Sequence, residues 1–266
     1  MITSFIGNLI MKKLNRCFDT PGIGDADIKI CVFQHFPCKL PSCFDDHKVF
    51  VPIQAGRVLS DPIPGIIGDD TGENISGYNR LLNEITAIYW VGIHYNEFGA
   101  PDYIGFNHYR RYLDWAYPIL SGRIIVASRL LTLKNQYETF RQYHHIKDLD
   151  AFIERFNTRY GDYYTDFEAF WKSHIMYVAN CFIMDRETFF DYFSYLRKCL
   201  SVIFAMIKDN DIPIDSYDKY QRRIYGFIME RMTSYFIYHA RHNRFGNFVS
   251  SRLRNFNTPN FINGTR

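Results

Sequence analysis

The chain has 266 residues, 47% of them hydrophobic and 22% charged, with a formal net charge of +3. That length suits one large domain or a domain with a helical appendage. The apolar fraction can fill a core of this size, and the near-balanced charge argues against a nucleic-acid binder. Aromatics reach 18%, with 24 Phe and 20 Tyr, a density that suits stacking surfaces and sugar-facing pockets as well as aromatic cores.

The first residues, Met1 to Leu14, place Ile2, Phe5, Ile6, Leu9 and Ile10 at roughly helical spacing. This run is too short to span a bilayer and has no small-residue cleavage site. It reads as an amphipathic turn, followed by a Gly/Pro/Asp-rich linker from Thr20 to Asp27. Residues 1–27 are therefore expected to form an extension and linker. Cys17, Cys31, Cys38, Cys43, Cys181 and Cys199 form no CxxC pair and no zinc-like spacing. Without a secretory leader, the expectation is reduced thiols in a cytoplasmic protein.

Ile28 to Phe33 reads as a buried first strand running into Gln34, His35 and Pro37. A polar group at the end of such a strand is often close to ligand, although a satisfied loop histidine is the commoner outcome for His35. Val49 to Ile53 is a second short strand. Between Ser60 and Ser76 lies a Gly/Pro-punctuated loop containing Asp69, Asp70, Thr71, Glu73, Asn74 and Ser76. Its Gly spacing and the lack of a following Lys exclude a phosphate loop, and its Asp, Asn and Ser are also ordinary helix caps. A helix is expected from Tyr78 to Phe98, with Leu81, Leu82, Ile85, Ile88 and Ile93 on its core face. Glu84 lies beside that face and must be either paired with a cation or functional.

Gly99-Ala100-Pro101 ends the helix, and a strand begins at Asp102 and runs into His108-Tyr109-Arg110-Arg111-Tyr112. Strand, helix and strand make a βαβ unit, which predicts a parallel sheet with this polar cluster at its carboxyl end. A solvated basic end to an edge strand is the plainer alternative. Further strands are expected from Gly122 to Ala127 and from Tyr177 to Met184, and helices over 148–160, 186–208 and 217–239. His144 and His145 are adjacent and so diverge, which makes them a poor metal pair. After Glu230 the chain has no acid but carries Arg231, Arg241, Arg244, Arg252, Arg254 and Arg266. Residues 240–266 are expected to form a basic tail, either disordered or lying on an anionic membrane surface.

Several stretches together resemble the bacterial capsular and exopolysaccharide biosynthesis glycosyltransferases long filed as a domain of unknown function (DUF4422 type). They are Asp69 to Ser76, Glu84 to Trp90, Asp102 to Tyr112, Tyr177 to Met184 with Asn180, and Arg223 to Arg231 with Gly226 and Glu230. The resemblance implies a GT-A-like α/β domain over 28–239, with a mostly parallel sheet flanked by helices and a helical C-terminal part. It also implies transfer of a hexose, galactose foremost, from a UDP-linked donor to a lipid-linked or growing glycan at the inner face of the membrane.

GT-A enzymes usually end a central strand in Asp-x-Asp, which holds a metal on the diphosphate; here the corresponding strand ends in His108-Tyr109-Arg110-Arg111. The resemblance then implies a diphosphate held by His108, Tyr109, Arg110 and Arg111, with His35, Asp69, Asp70 and Asn74 also on the donor side. Fixed guanidinium charge can neutralise the leaving group, so a metal-independent reaction is the first expectation. The Asp69 and Asp70 carboxylates keep Mn2+ or Mg2+ in view, since hard cations prefer oxygen. Glu230 and Asp218, with Asp215 behind them, are candidate bases, His108 is a candidate catalytic group, and Asn180 and Arg223 are candidate acceptor or sugar contacts. The rival readings are a non-catalytic glycan-binding or assembly protein of the same fold, and a phosphoesterase, which no paired metal-ligand spacing supports.

Overall fold

The computed structural model describes residues 27–114 and 120–255. The N-terminal turn and most of the linker expected before the first strand lie outside the described residues. Nine strands form a single sheet: β1 (Ile28–Gln34), β2 (Phe50–Gln54), β3 (Ile67–Gly68), β4 (Tyr103–His108), β5 (Arg111–Leu113), β6 (Ile124–Leu131), β7 (Ile175–Asp185), β8 (Asn247–Ser250) and β9 (Leu253–Asn255). The order is β3-β2-β1-β4-β7-β6-β8, with β5 paired to β4 and β9 to β5. This is the expected α/β architecture, with a central sheet flanked by helices. The sheet is mixed: β1, β2, β3 and β4 pair in parallel, whereas β7 runs antiparallel to both β4 and β6.

The period-2 alternation of the strands divides the core. Cys31 and Phe33 of β1, Ile104 and Phe106 of β4, and Phe182 and Met184 of β7 face the helices. Ile28, Ile30 and Val32, with Cys181 and Ile183, face a smaller cluster completed by Phe44, Phe50, Leu113 and Leu120. His35 and His108 continue the helix-side parity of β1 and β4 past their last apolar residues.

The helices are α1 (Asn79–Leu82), α2 (Ile85–Ile93), α3 (Gln136–Tyr143), α4 (Ile146–Tyr160), α5 (Phe167–Lys172), α6 (Arg186–Asp209) and α7 (Ile224–His242). The helix expected from Tyr78 to Phe98 is broken. Asn83 takes φ 55° between α1 and α2, a left-handed excursion that Asn tolerates better than most residues. The break turns Glu84 inward. The helix expected from Tyr217 starts only at Ile224, because Asp218 caps the preceding turn, accepting from the Tyr220 and Gln221 amides at 2.8 Å each. Residues 240–255 are not a tail: α7 continues to His242, and β8 and β9 add to the sheet. Only the last eleven residues of the expected tail lie outside the described chain. Among the described residues no helix is long and apolar enough to cross a membrane.

Where α7 crosses α1, Gly226 allows close approach. A Cβ there would stand 2.1 Å from Asn83 Nδ2 and 3.2 Å from the Leu81 carbonyl oxygen. Asn83 is not free to swing aside, because its Oδ1 accepts from Arg223 Nε at 2.5 Å. Gly226→Ala is therefore expected to destabilise the fold by about 1–3 kcal/mol, read as a lower denaturant midpoint with an unchanged slope.

Candidate active site

The parallel strands run β3-β2-β1-β4, so the chain winds outward from β1 in one direction and returns on its other side at β4. The carboxyl ends at such a reversal of strand order form a natural crevice. A cleft of about 1310 Å³ opens there, lined by His35 after β1, Ala55 and Gly56 after β2, and His108 to Arg111 at the end of β4. The opposite wall comes from α7 and the turn before it, through Asp218, Arg223, Phe227, Glu230 and Arg231.

The floor rests on an irregularity in β7. The β6–β7 register shifts between Ala127 and Arg129, and Ala179 and Asn180 take φ 66° and 49°. Two consecutive non-glycine residues in this region are strained and leave ladder groups unpaired. Side chains from other elements supply the partners. His108 Nε2 donates to the Ala179 carbonyl at 2.7 Å, which fixes the proton on that nitrogen because a carbonyl cannot donate. The Ala179 amide donates to Glu230 Oε1 at 2.8 Å. The Asn180 amide nitrogen donates to Glu84 Oε1 at 2.6 Å, and the same oxygen lies 3.6 Å from His108 Nε2.

Burial alone would raise the Glu84 carboxyl. His108, the Asn180 amide, its own backbone amide and His35 together outweigh burial and hold it below the usual carboxylate range. Burial pulls His35 below the ordinary imidazole value, against the opposing pull of Glu84 and the Ala55 carbonyl. Its Nδ1 lies 3.2 Å from that carbonyl, so neutral His35 presents Nε2 as an acceptor.

The lining holds seven cationic side chains against three carboxylates. Arg110 and Arg111 are exposed, and among the described residues neither has a hydrogen bond or ion pair to its guanidinium; Arg110 lies only over the Tyr109 ring, at 5.6 Å. Arg223 packs over Phe227 at 5.7 Å. Arg231 is buried, with a side chain only 7% exposed, and its nearest carboxylate oxygen on Glu230 is 3.8 Å away. Its Nε has no partner among the described residues, and burial lowers its affinity for the proton against the pull of Glu230. Such a cleft is built for an anion. At its far end His144 stacks on Phe227 at 4.1 Å, and Tyr220 covers Phe227 at 4.9 Å, forming an aromatic shelf.

The structure brings His35, His108, Tyr109, Arg110, Arg111, Asp218, Arg223 and Glu230 into this one cleft. It does not bring Asp69, Asp70, Asn74 or Asn180 into the lining. Asp69 is fully buried, accepting from the Gly56 and Arg57 amides, Ser76 Oγ at 2.6 Å and Thr86 Oγ1 at 2.7 Å. That carboxylate fastens the 56–57 turn to the 68–76 loop and has little left for a ligand. Asp70 lies 3.7 Å from Arg57 Nε. Asn74 stitches its own loop, donating to the Asp70 and Gly72 carbonyls. Asn180 is buried behind Ala179 and spends its amide on Glu84. Among the described residues no three His, Cys, Asp or Glu side chains are grouped to hold a metal. The group missing from the sequence-derived set is Glu84, whose position beside an apolar helix face was its signal. Arg231 carried no signal beyond its place in the Glu-Arg pair.

The comparisons with known proteins agree with this architecture. The model of the family described as Domain of unknown function (DUF4422) matches residues 29–243. An apo structure of WbbM, a bifunctional glycosyltransferase, is similar, with a TM-score of 0.70 and 24% sequence identity over 85% of this chain. The chain spans 45% of that protein's chain, and at such identity the likeness speaks for the fold. No curated protein matches.

Burial holds the His144 imidazole down to about 4, against the opposing hydrogen bond from Gln221. The folded value is below the unfolded one, so the stabilisation is complete above about 6.5 and is lost as pH falls toward 4. His144→Phe keeps the stack on Phe227 and removes the titration. Its melting temperature should fall less steeply than that of the wild type between those two pH values, as read by calorimetry.

Proposed function

The chain belongs to the DUF4422 family, and on that footing we propose that it is a glycosyltransferase. It moves a hexosyl group from a nucleoside-diphosphate sugar, UDP-linked in our reading, to a glycan under construction for a surface polysaccharide. The observation that carries this reading is the cation-rich cleft at the β1–β4 reversal, where Arg110 and Arg111 stand unpaired beside His108. A diphosphate supplies the missing partners, since guanidinium forks match phosphate oxygens two at a time. The bond from the anomeric carbon to the diphosphate breaks with its electron pair going to phosphate oxygen, where Arg110, Arg111 and Arg223 stabilise it. The bond to the acceptor oxygen forms, and its proton passes to Glu230.

Glu230 suits that role better than Asp218. Its Oε1 is held by the Ala179 amide, which leaves Oε2 for a proton, and it lies on the bulge. Asp218 is exposed and committed to its own turn. Glu84, sealed against His108 and Asn180, orients the imidazole. Divalent cations are not required by this arrangement, because the charge that would otherwise be theirs is covalently fixed. Where the acceptor is lipid-linked, the reaction takes place at the inner membrane face.

The test is a panel of nucleotide sugars, with and without Mn2+, scored for thermal stabilisation and for nucleoside diphosphate release. One donor should raise the melting temperature equally with and without the metal. His108→Gln retains a donor to the Ala179 carbonyl but loses the ring, and turnover should fall about 100-fold. Arg110→Ala should raise the donor KM about tenfold, as expected for a lost charge-assisted contact. Glu230→Gln should keep donor binding and lose transfer by about 100-fold or more. Full turnover by the His108 and Arg110 variants would sink this site. Donor binding by a wild type that turns nothing over would instead favour a glycan-binding protein.

A further inference from the structure

A second groove lies on the far side of the β7 bulge and was not part of the donor cleft. It measures about 740 Å³ and is lined by Arg129, Leu130, Arg252 and neighbouring serines. Three residues, Arg111, Ala179 and Glu230, line both spaces. The groove has a structural cause. The β6–β8 ladder ends at the Ala127–Ser250 pair, just where β6 and β7 slip register, and β9 then turns away to pair with β5. The sheet therefore opens beyond Ala127, and the two recesses adjoin at Arg111, Ala179 and Glu230.

The groove's charge is one-sided. Arg111, Arg129 and Arg252 face a single carboxylate, Glu230. Arg129 and Arg252 are exposed, and among the described residues their guanidiniums have no hydrogen-bond or ion-pair partner. Just beyond, Leu130, Leu131 and Leu133 are all exposed, and Leu130 lines the groove itself. Paired guanidiniums beside exposed leucines suit a phosphate carried on an alkyl chain.

We infer that this groove is the acceptor site and that its ligand is a phosphate-bearing acceptor, held by Arg129 and Arg252 so that its hydroxyl reaches Glu230 and the donor where the two spaces adjoin. The inference rests on the glycosyltransferase reading for what occupies the adjoining cleft, but phosphate binding in the groove stands without it. The phosphate has two sources: the diphosphate of a lipid carrier, or a phosphate within the glycan. The exposed leucines favour the lipid.

Isothermal titration distinguishes the sites. The probes are decyl diphosphate, glucose 1-phosphate and UDP, and the proteins are the wild type, Arg129→Glu/Arg252→Glu, Arg110→Ala/Arg223→Ala, and Arg159→Glu/Arg197→Glu, a control with the same charge change elsewhere. The groove variant should lose about tenfold or more in affinity for decyl diphosphate, with UDP much less affected. The cleft variant should show the reverse, and the control neither. Tighter binding of decyl diphosphate than of glucose 1-phosphate identifies the lipid carrier, and equal binding identifies phosphate in the glycan. Unchanged decyl diphosphate affinity in the groove variant, or equal loss in the control, overturns the inference. Failure of UDP to bind any of the proteins counts against the donor cleft and leaves the groove result readable on its own.

Discussion

A bulge in one buried strand carries the whole site. At Ala179 and Asn180 the backbone of β7 enters the left-handed region twice in succession, at a cost of order 1–3 kcal/mol for each residue. It persists because three elements over-determine it. β4 sends His108 to the Ala179 carbonyl, α7 sends Glu230 to the Ala179 amide, and the α1–α2 break sends Glu84 to the Asn180 side chain. The His108 imidazole and the Glu230 carboxylate thus also act as the missing ladder partners of a sheet. Their orientation is fixed by backbone geometry and not by ligand, which is the preorganisation that charge stabilisation requires.

The same economy explains the cations. A buried guanidinium with a carboxylate 3.8 Å away and an unpartnered Nε, as at Arg231, is a poor arrangement for stability, because desolvation of the charge exceeds the attraction returned. Arg110, Arg111 and Arg223 gather like charge along one cleft. An anionic ligand converts each of these deficits into a contact.

What residue order could show follows the range of the interaction. Apolar runs at Ile28–Phe33, Tyr103–His108 and Tyr177–Met184 marked their strands, and the polar end of β4 was visible because everything in it is sequence-local. Asp69 misled for the opposite reason. Its ligands are two amides twelve or thirteen positions back and hydroxyls seven and seventeen ahead, and a polar loop that ties itself down looks the same in sequence as one that binds a sugar. The bulge was invisible, since Ala179 and Asn180 carry no glycine to announce a positive φ. The Asn83 break was masked by the apolar periodicity that continues through it. The short strands Asn247–Ser250 and Leu253–Asn255 were hidden in a basic stretch whose composition resembles a tail.

The division of labour between arginine and histidine follows from their chemistry. Arg presents a planar fork of fixed charge, which on the proposed reading faces the diphosphate. His35 is pushed toward its neutral form by burial and can accept a hydrogen bond without adding to an already positive field. His108 spends its Nε2 proton on the Ala179 carbonyl and so holds the bulge. A cleft so arranged holds charge in its arginines and geometry in His108 and Glu230, which both bond to Ala179, and the buried strand that joins them cannot shift at one contact without disturbing the other.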